Sequence, residues 1–583
     1  MFLREVKRQN KNGTQASYLQ LVHNQWDPTA QASRTRILYS FGRTDQVERA
    51  AIERLIASLS RLLDPATAFR VTASSELTFL EARPLGGAHL LDGMWQRLGI
   101  DQVMRKLLKG RRLDPRVERV LFALVANRAL DASSKLAAAG WITHDVHIEG
   151  LPETSEDACY RAMDWLLEIA GDLERAVFWQ LASLLDLEVD LLFFDTTSTY
   201  FELDEPDAPI ARDRRGMPVA EPDGDGNAGD GHGAGVEGDG AAAATKAGFR
   251  SYGHSKDHRD DLPQVVVGMA VTRTGIPVRV WCWPGNTTDS ALIRQAKDDL
   301  RDWTLTRVIW VADRGFASAE NRRYQRRGDH HDIIGEKLRS GSAEATAALS
   351  RQGRYAEVAG NLRVKEVRIS EHERFVICHN PNQADRDAAT RARLVAQLTE
   401  LIDGADKLTA TKRAELRGVL STKPGLARYL RVTPGGLLRI DHKKIKAEAN
   451  LDGKYLLRSS DPRLSAEDIA LGYKQLLQVE RGWRDMKQVI DLRPVYHRLE
   501  ERIRAHVLLC WLALLLVRII ETTTGATWRS LAAELNRLQV ITFTGPDGTF
   551  RQRTELTKPQ RDLYATLQLD PPAKIIELAT PSS

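Results

Sequence analysis

Two aspartates set the chemistry to be explained. Asp195 closes the apolar run Leu191-Leu-Phe-Phe194, and Asp313 closes Arg307-Val-Ile-Trp-Val-Ala312. Short apolar runs of this kind read as buried strands. Ligand sites of open α/β sheets gather at the carboxyl ends of strands. Neighbouring strands lie about 4.8 Å apart, so two carboxylates at adjacent strand ends can clamp one or two divalent cations. Carboxylate oxygens suit Mg²⁺. A metal pair about 3.5–4 Å apart can activate water and stabilise the leaving oxygen of a phosphodiester. Either aspartate alone is more plainly a helix cap or loop anchor; the matched pair favours the metal reading.

A third carboxylate would complete the set. Glu467, Asp468, Glu480, Asp485 and Asp491 lie on or just beyond a long helical stretch, residues 465–489. Helical periodicity puts Tyr473, Leu476, Glu480, Trp483 and Lys487 near one face. The plainer alternative is an amphipathic helix with one Glu480–Arg484 ion pair. Lys487 lies about two turns from Glu480 and can reach a phosphate as a point charge. Tyr473 can donate to a phosphate oxygen. His254, Lys256, His258 and Arg259 form a polar cluster, read either as a DNA-backbone contact or as a solvated turn. Arg314 follows Asp313 and either neutralises substrate phosphate or pairs with a carboxylate. Arg493, Arg498, Arg502 and Arg504 form a basic stretch, for which phosphate binding is the better reading beside a nuclease-type site. Trp483 reads as core rather than as a base-stacking wedge.

Positioning these groups needs a large protein. The chain has 583 residues, about four domains at roughly 150 residues each. Apolar residues are 42% and charged residues 28%, a globular composition. Lys+Arg number 83 and Asp+Glu 78, a net +5, so nucleic-acid contacts must come from local patches. Cys159, Cys282, Cys378 and Cys510 stand far apart, which disfavours a zinc ribbon or redox pair and fits a reducing, cytoplasmic setting. No phosphate-loop motif is present, which argues against a nucleotide-driven motor. Residues 1–12 lack the apolar stretch of a signal peptide. The apolar run 507–517 is shorter than the roughly 20 residues a spanning helix needs and reads as a buried core helix, with no membrane expected.

Six segments are expected. Residues 1–75 form a small basic β/α unit, with strands at 16–23 and 35–41 and a helix at 48–63. Residues 80–187 are helical; their basic rim (Arg105, Lys106, Lys109, Arg111, Arg112, Arg116, Arg119) fits either DNA docking or a solvated face. Residues 188–339 hold the first part of a mixed α/β layer, interrupted by a Gly/Asp-rich loop at about 203–249 that is expected to be disordered, since its centre, 222–240, cannot bury a core. Residues 340–464 are expected as a β-rich insertion containing a helical stretch at 388–419. The second part of the core occupies 465–524, and 525–583 form a tail.

The ordered set of motifs resembles bacterial insertion-sequence transposases of the DDE class. The matching pieces are Phe194-Asp-Thr-Thr-Ser-Thr-Tyr-Phe-Glu202, Gly253-His-Ser-Lys-Asp-His-Arg259, Asp261-Leu-Pro-Gln264, Gly275-Ile-Pro277, Pro284-Gly-Asn-Thr-Thr-Asp289, Val311-Ala-Asp-Arg-Gly-Phe316, and the segment from Tyr473 to Arg493-Pro-Val-Tyr-His497. The resemblance implies an RNase H-like mixed-sheet core with Asp195, Asp313 and Glu480 as the metal-binding catalytic triad. Tyr473, Glu480 and Lys487 match the signature Tyr-x₂-Arg-x₃-Glu-x₆-Lys, with Leu476 in the Arg position. It also implies two Mg²⁺ ions, with Mn²⁺ as a substitute, and cleavage and strand transfer on double-stranded DNA at terminal inverted repeats and target sites. A homodimer would bridge two ends in a cytoplasmic, nucleoid-associated setting. DNA contacts are expected from Tyr473, Lys487, Arg314, His254, Lys256, Arg259, Arg493 and Arg498. Two rival readings are a non-catalytic DNA-binding protein, such as a repressor or decayed transposase, and an RNase H-like nuclease on branched or RNA-containing DNA.

Overall fold

The computed structural model describes residues 2–9, 15–27, 32–44, 78–184, 191–213, 215–219, 245–303, 307–339, 341–370, 373–545 and 548–579. They divide into two compact units, neither of them one contiguous stretch of chain.

The larger unit is built on a nine-stranded sheet. Its strands are β1 (Leu191–Tyr200), β2 (Gln264–Val271), β3 (Pro277–Pro284), β4 (Ile309–Ala312), β5 (His331–Glu336), β6 (Ala356–Ala359), β7 (Leu362–Ser370), β8 (Glu373–His379) and β9 (Lys454–Ser459), in the order β6-β7-β8-β9-β5-β4-β1-β2-β3. β4 runs parallel to both β1 and β5, while β2 is antiparallel to β1 and β3 to β2. The order 3-2-1-4-5 with an antiparallel second strand is the mixed sheet of an RNase H-like core. β2 and β4 are buried along their whole length, as expected of strands covered on both faces. The β2–β3 turn closes with Gly275 N–H donating to Thr272 O at 2.9 Å. Gly275 sits at φ +81°, a conformation that favours glycine.

The segment 340–464 corrects one expectation. Its strands do not form a β-rich insertion. β9 pairs with both β5 and β8, so β6 to β9 extend the central sheet. What lies between β8 and β9 is mainly helical: Pro381–Ile402, Ala410–Ser421, Pro424–Ala427 and His442–Ala449, with one small ribbon of Leu430–Val432 and Leu438–Ile440. It has its own core of Leu398, Ala405, Leu420, Leu426, Tyr429 and Leu438. The strands lie where the sequence periodicity puts them, but β9 takes a partner, β5, that is distant in sequence. The expected helix 388–419 is broken by Gly404, at φ +68°.

Three helices matter for the site: α1 (Ala466–Lys474), α2 (Leu477–Gln488) and α3 (Glu500–Thr524). Ser465 caps α1 reciprocally with Asp468. The expected single helix 465–489 is thus two. Between them Leu476 N–H bonds Tyr473 O at 3.0 Å and Val479 N–H bonds Leu476 O at 3.1 Å. This three-residue spacing winds tighter than an α-helix and shifts Tyr473 off the simple stripe with Glu480. Residues 503–520 of α3 are all buried, in keeping with the core helix expected at 507–517. α3 packs against β3 and against the helices Val117–Leu130 and Glu156–Glu168 of the helical region. In that region Arg105, Arg111, Arg116 and Arg119 are ion-paired, whereas Lys106, Lys109 and Arg112 are exposed.

The flanks of the expected 203–249 loop are ordered, which corrects that expectation. Ile210–Arg212 pairs with Thr245–Ala247. Arg212 is 2% exposed and holds Glu500 of α3 through two hydrogen bonds, 3.1 and 2.8 Å. The Gly/Asp-rich centre, 222–240, lies outside the described residues.

The smaller unit contains two antiparallel sheets. Phe2–Gln9, Gln15–Asp27 and Ala32–Arg43 form one, which includes the hairpin expected at 16–41. Thr78–Pro84 pairs with Gln539–Gly545, followed by Gly548–Arg553 and Ile575–Ala579, to form the other. The helix expected at 48–63 lies outside the described residues.

Candidate active site

Ala312 of β4 pairs with Phe194 of β1, so Asp313 and Asp195 occupy the next positions of adjacent parallel strands. Leu192, Phe194, Trp310 and Ala312 enter an apolar cluster with helix Asp289–Leu300. Strand alternation turns Asp195 and Asp313 to the opposite face. That face is the one α1 and α2 cover. Gly472 of α1 lies over Leu191 and Ile333, and Gly482 of α2 lies against Met269, the cross-strand partner of Asp195.

Tyr473 ties the helices to the strands. Its hydroxyl donates to Asp313 Oδ1 at 3.3 Å. Burial raises the phenol pKa, and the charges of Asp313 and of Glu480 raise it further. Glu480 therefore stands in the electrostatic neighbourhood that contains Asp313. Glu480 makes no ion pair among the described residues; the pair at helical spacing is Arg481 with Asp485, 3.8 Å. Gly335 of β5 leaves room for the Tyr473 hydroxyl. A Cβ there would come within 3.0 Å of it.

Asp195 is a quarter exposed. Burial pushes its pKa up to about 6, with the charges of Asp289 and Asp313 adding, while Lys256 and the Thr196 N–H oppose. Lys256 is the internal counter-ion. Its ammonium donates to Thr196 O and Oγ1, both at 2.6 Å, and lies 3.1 Å from Asp289 and 3.8 Å from Asp195. Lys256, expected as a DNA contact, is a cation held between two carboxylates here. Asp289 was not picked out from the sequence as a site residue, although it ends one of the matching motifs.

Two further cations meet on Asp257, another residue not singled out. Lys487 Nζ donates to Asp257 Oδ1 at 2.9 Å, and Arg493 lies 3.2 Å from Oδ2. Arg493 stacks 4.7 Å over Tyr200, the last residue of β1. Arg259 also lies over Tyr200, at 5.2 Å, and is held bidentately by Asp261. His254 is 93% exposed, and Arg314 and Arg498 are exposed. Arg502 pairs with Asp164, and Arg504 is buried on Glu500 and backbone carbonyls, so neither faces a substrate freely. Trp483 and Leu476 are buried. The position where the signature has Arg is a core position here.

Among the described residues no three His, Cys, Asp or Glu side chains are gathered as a ready metal cluster. The donors nonetheless fit a hard divalent cation. Asp195 and Asp313 are side by side, the set is all-oxygen, and a positive charge, the Lys256 ammonium, already sits beside Asp195.

A sequence profile of the transposase DDE domain matches residues 213–516, more than half of the chain. A profile of the IS1634 family transposase N-terminal domain matches residues 3–68. Among solved structures, the chain is similar to the cryo-EM structure of a piggyBac transposase synaptic complex with hairpin DNA, with a TM-score of 0.34 and 10% identity over 79% of this chain and 82% of that one. No curated protein matches. With Asp195 and Asp313 at matching positions of adjacent strands and this domain match over more than half of the chain, the chain belongs to the DDE transposases, enzymes of DNA transposition.

Proposed function

We propose that the protein cleaves double-stranded DNA at the terminal inverted repeats of its own element and joins the freed ends to target DNA, with Asp195, Asp313 and Glu480 as the catalytic and metal-binding triad. The observation that carries this reading is the placement of Asp195 and Asp313 at matching positions of adjacent parallel strands, on the face covered by the Glu480 helix. DDE transposases use divalent metals; here the fitting ions are two Mg²⁺, with Mn²⁺ as a substitute. When bound, such ions supply Lewis acidity at the attacking and leaving oxygens of a phosphodiester.

The residues of this chain do the rest. Tyr473 orients the Asp313 carboxylate through its hydroxyl. Lys256 offsets the repulsion between Asp195 and Asp289 before the site is loaded. Lys487 and Arg493 hold a backbone phosphate, and the exposed Arg314 extends the cationic rim. In the first reaction a water oxygen bonds to phosphorus as the bond to the 3′ oxygen breaks, leaving a free 3′-OH. In the second that hydroxyl attacks a target phosphodiester, expelling the target's own 3′ oxygen. No covalent enzyme intermediate is needed. Two ends must be joined in concert, so the working form is a homodimer bridging both, acting on chromosomal DNA in the cytoplasm.

The test is a cleavage and strand-transfer assay on the DNA flanking the gene, in Mg²⁺, with wild type and Glu480→Gln. Wild type nicks at the repeat ends; the variant binds without cutting. Equal cutting by both removes Glu480 from the triad.

A further inference from the structure

Lys256 and Asp257 are adjacent and oppositely charged, and they face different partners. Lys256 turns to Asp195 and Asp289. Asp257 turns to Lys487 and Arg493, one oxygen to each. The turn that carries them is fixed to β1: Lys256 N–H donates to Ser198 Oγ at 2.9 Å, and its ammonium is held by Thr196.

Lys487 and Arg493 are 16% and 26% exposed, and like charges so placed repel. Burial lowers the Lys487 pKa, and Arg493 and Lys256 lower it further; Asp257 is the group that opposes them. One carboxylate shared by two cations leaves a net positive charge. It also leaves donors over: an ammonium has three and a guanidinium five, and each cation meets a single oxygen of Asp257 here. A phosphate can therefore bind the pair without displacing Asp257.

We propose that Asp257 is a positioning residue: its carboxylate gathers Lys487 and Arg493 into one clamp for a DNA phosphate and, through Lys256, fixes the clamp in register with the strand that carries Asp195. This rests on the transposase reading of the site.

The sign of the effect makes it testable. By charge alone, removing an acid from a DNA-binding surface tightens binding. The clamp predicts weakening. The probe is a fluorescein-labelled 30-base-pair duplex of random sequence, titrated by anisotropy at several salt concentrations without divalent metal. One phosphate contact contributes about 0.9 to the slope of log K against log salt, or about eightfold at 0.1 M salt. Asp257→Asn is expected to bind about eightfold more weakly, with a slope shallower by about one. Asp257→Glu keeps the wild-type slope. With its partner gone, Lys487 loses its proton earlier, so binding by Asp257→Asn falls off at lower pH than in wild type. Adding Lys487→Arg to Asp257→Asn abolishes that alkaline fall. Tighter or unchanged binding by Asp257→Asn, with its melting temperature at the wild-type value, overturns the proposal. A wild-type protein that does not bind the duplex overturns the transposase reading of the site instead.

Discussion

Replacing Gly335 with alanine tests the contact between α1 and Asp313. Gly335 lies on β5 in ordinary strand conformation, so the new Cβ meets no backbone penalty. It would intrude within 3.0 Å of the Tyr473 hydroxyl and lie 3.2 Å from Cζ. Overpacking of this kind costs about 1–3 kcal/mol, while exchanging glycine for alanine in a strand returns about 0.5–1 kcal/mol. The net expectation is destabilisation by about 1–2 kcal/mol. In a Tyr473→Phe background the clashing oxygen is gone and the nearest ring atom is only tight, so the same alanine costs close to nothing. The coupling between the two sites is then also about 1–2 kcal/mol. Urea titration of the four proteins, followed by tryptophan fluorescence, measures it as a difference of midpoints at constant slope. Gly335→Ala and Tyr473→Phe are expected to slow cleavage by similar factors, since each removes the hydrogen bond to Asp313. An alanine that costs the same with and without the hydroxyl refutes the packing argument.

Three other outcomes are expected. Asp195 takes up a proton as pH falls through about 6, which opposes cation binding, so cleavage has an acid limb in that region. Its folded pKa is raised above the unfolded value, so the stability it contributes in metal-free protein is complete below pH 4 and lost as pH rises through 6. Lys256→Met removes the charge that holds this pKa down, so the acid limb moves to higher pH; a pH–rate profile with the limb unmoved contradicts the counter-ion role. Arg212→Met removes a buried guanidinium and leaves the mostly covered Glu500 with only Arg504 as partner, and is expected to cost about 3 kcal/mol, read from urea midpoints. Trp483→Phe is expected to leave DNA affinity within about twofold on the anisotropy assay, because the ring is 6% exposed and packs as core; a large loss of affinity assigns it to the nucleic acid after all.

The parts of the site that were legible in sequence share one property: their evidence is local. Asp195 and Asp313 each end an unbroken apolar run, and a parallel pair buried on both faces must have such runs, so composition alone marked both strands. Glu480 is one of five carboxylates that the helical pattern leaves open, and the family signature, itself a local spacing on the chain, is what selects it for the proposed triad. The errors arose where the partner is distant. β9 carries a clear strand pattern, but the pattern cannot say that β5, more than 100 residues earlier, is its neighbour, and so a sheet extension was read as a separate β-rich piece. Thr78–Pro84 finds its partner at Gln539–Gly545, beyond the reach of any local signal. The tightened turn between α1 and α2 escaped because its residues still satisfy a helical period on average.

Lys256 and Asp257 show the limit most directly. In the sequence the two are neighbours of opposite sign, and their charges cancel on any local count. In the fold successive side chains of the turn diverge, so the cation reaches the carboxylates of β1 and helix Asp289–Leu300 while the anion reaches Lys487 on α2 and Arg493 just beyond it. Net charge over a window is therefore the wrong measure of what such a pair does. A pair that cancelled internally could lose both charges in Lys256→Met/Asp257→Asn with little effect on DNA binding or on the acid limb. A pair that serves two sites must show both single-variant effects at once, each in its own assay, because the two carboxylate–cation groups share a turn but no partner.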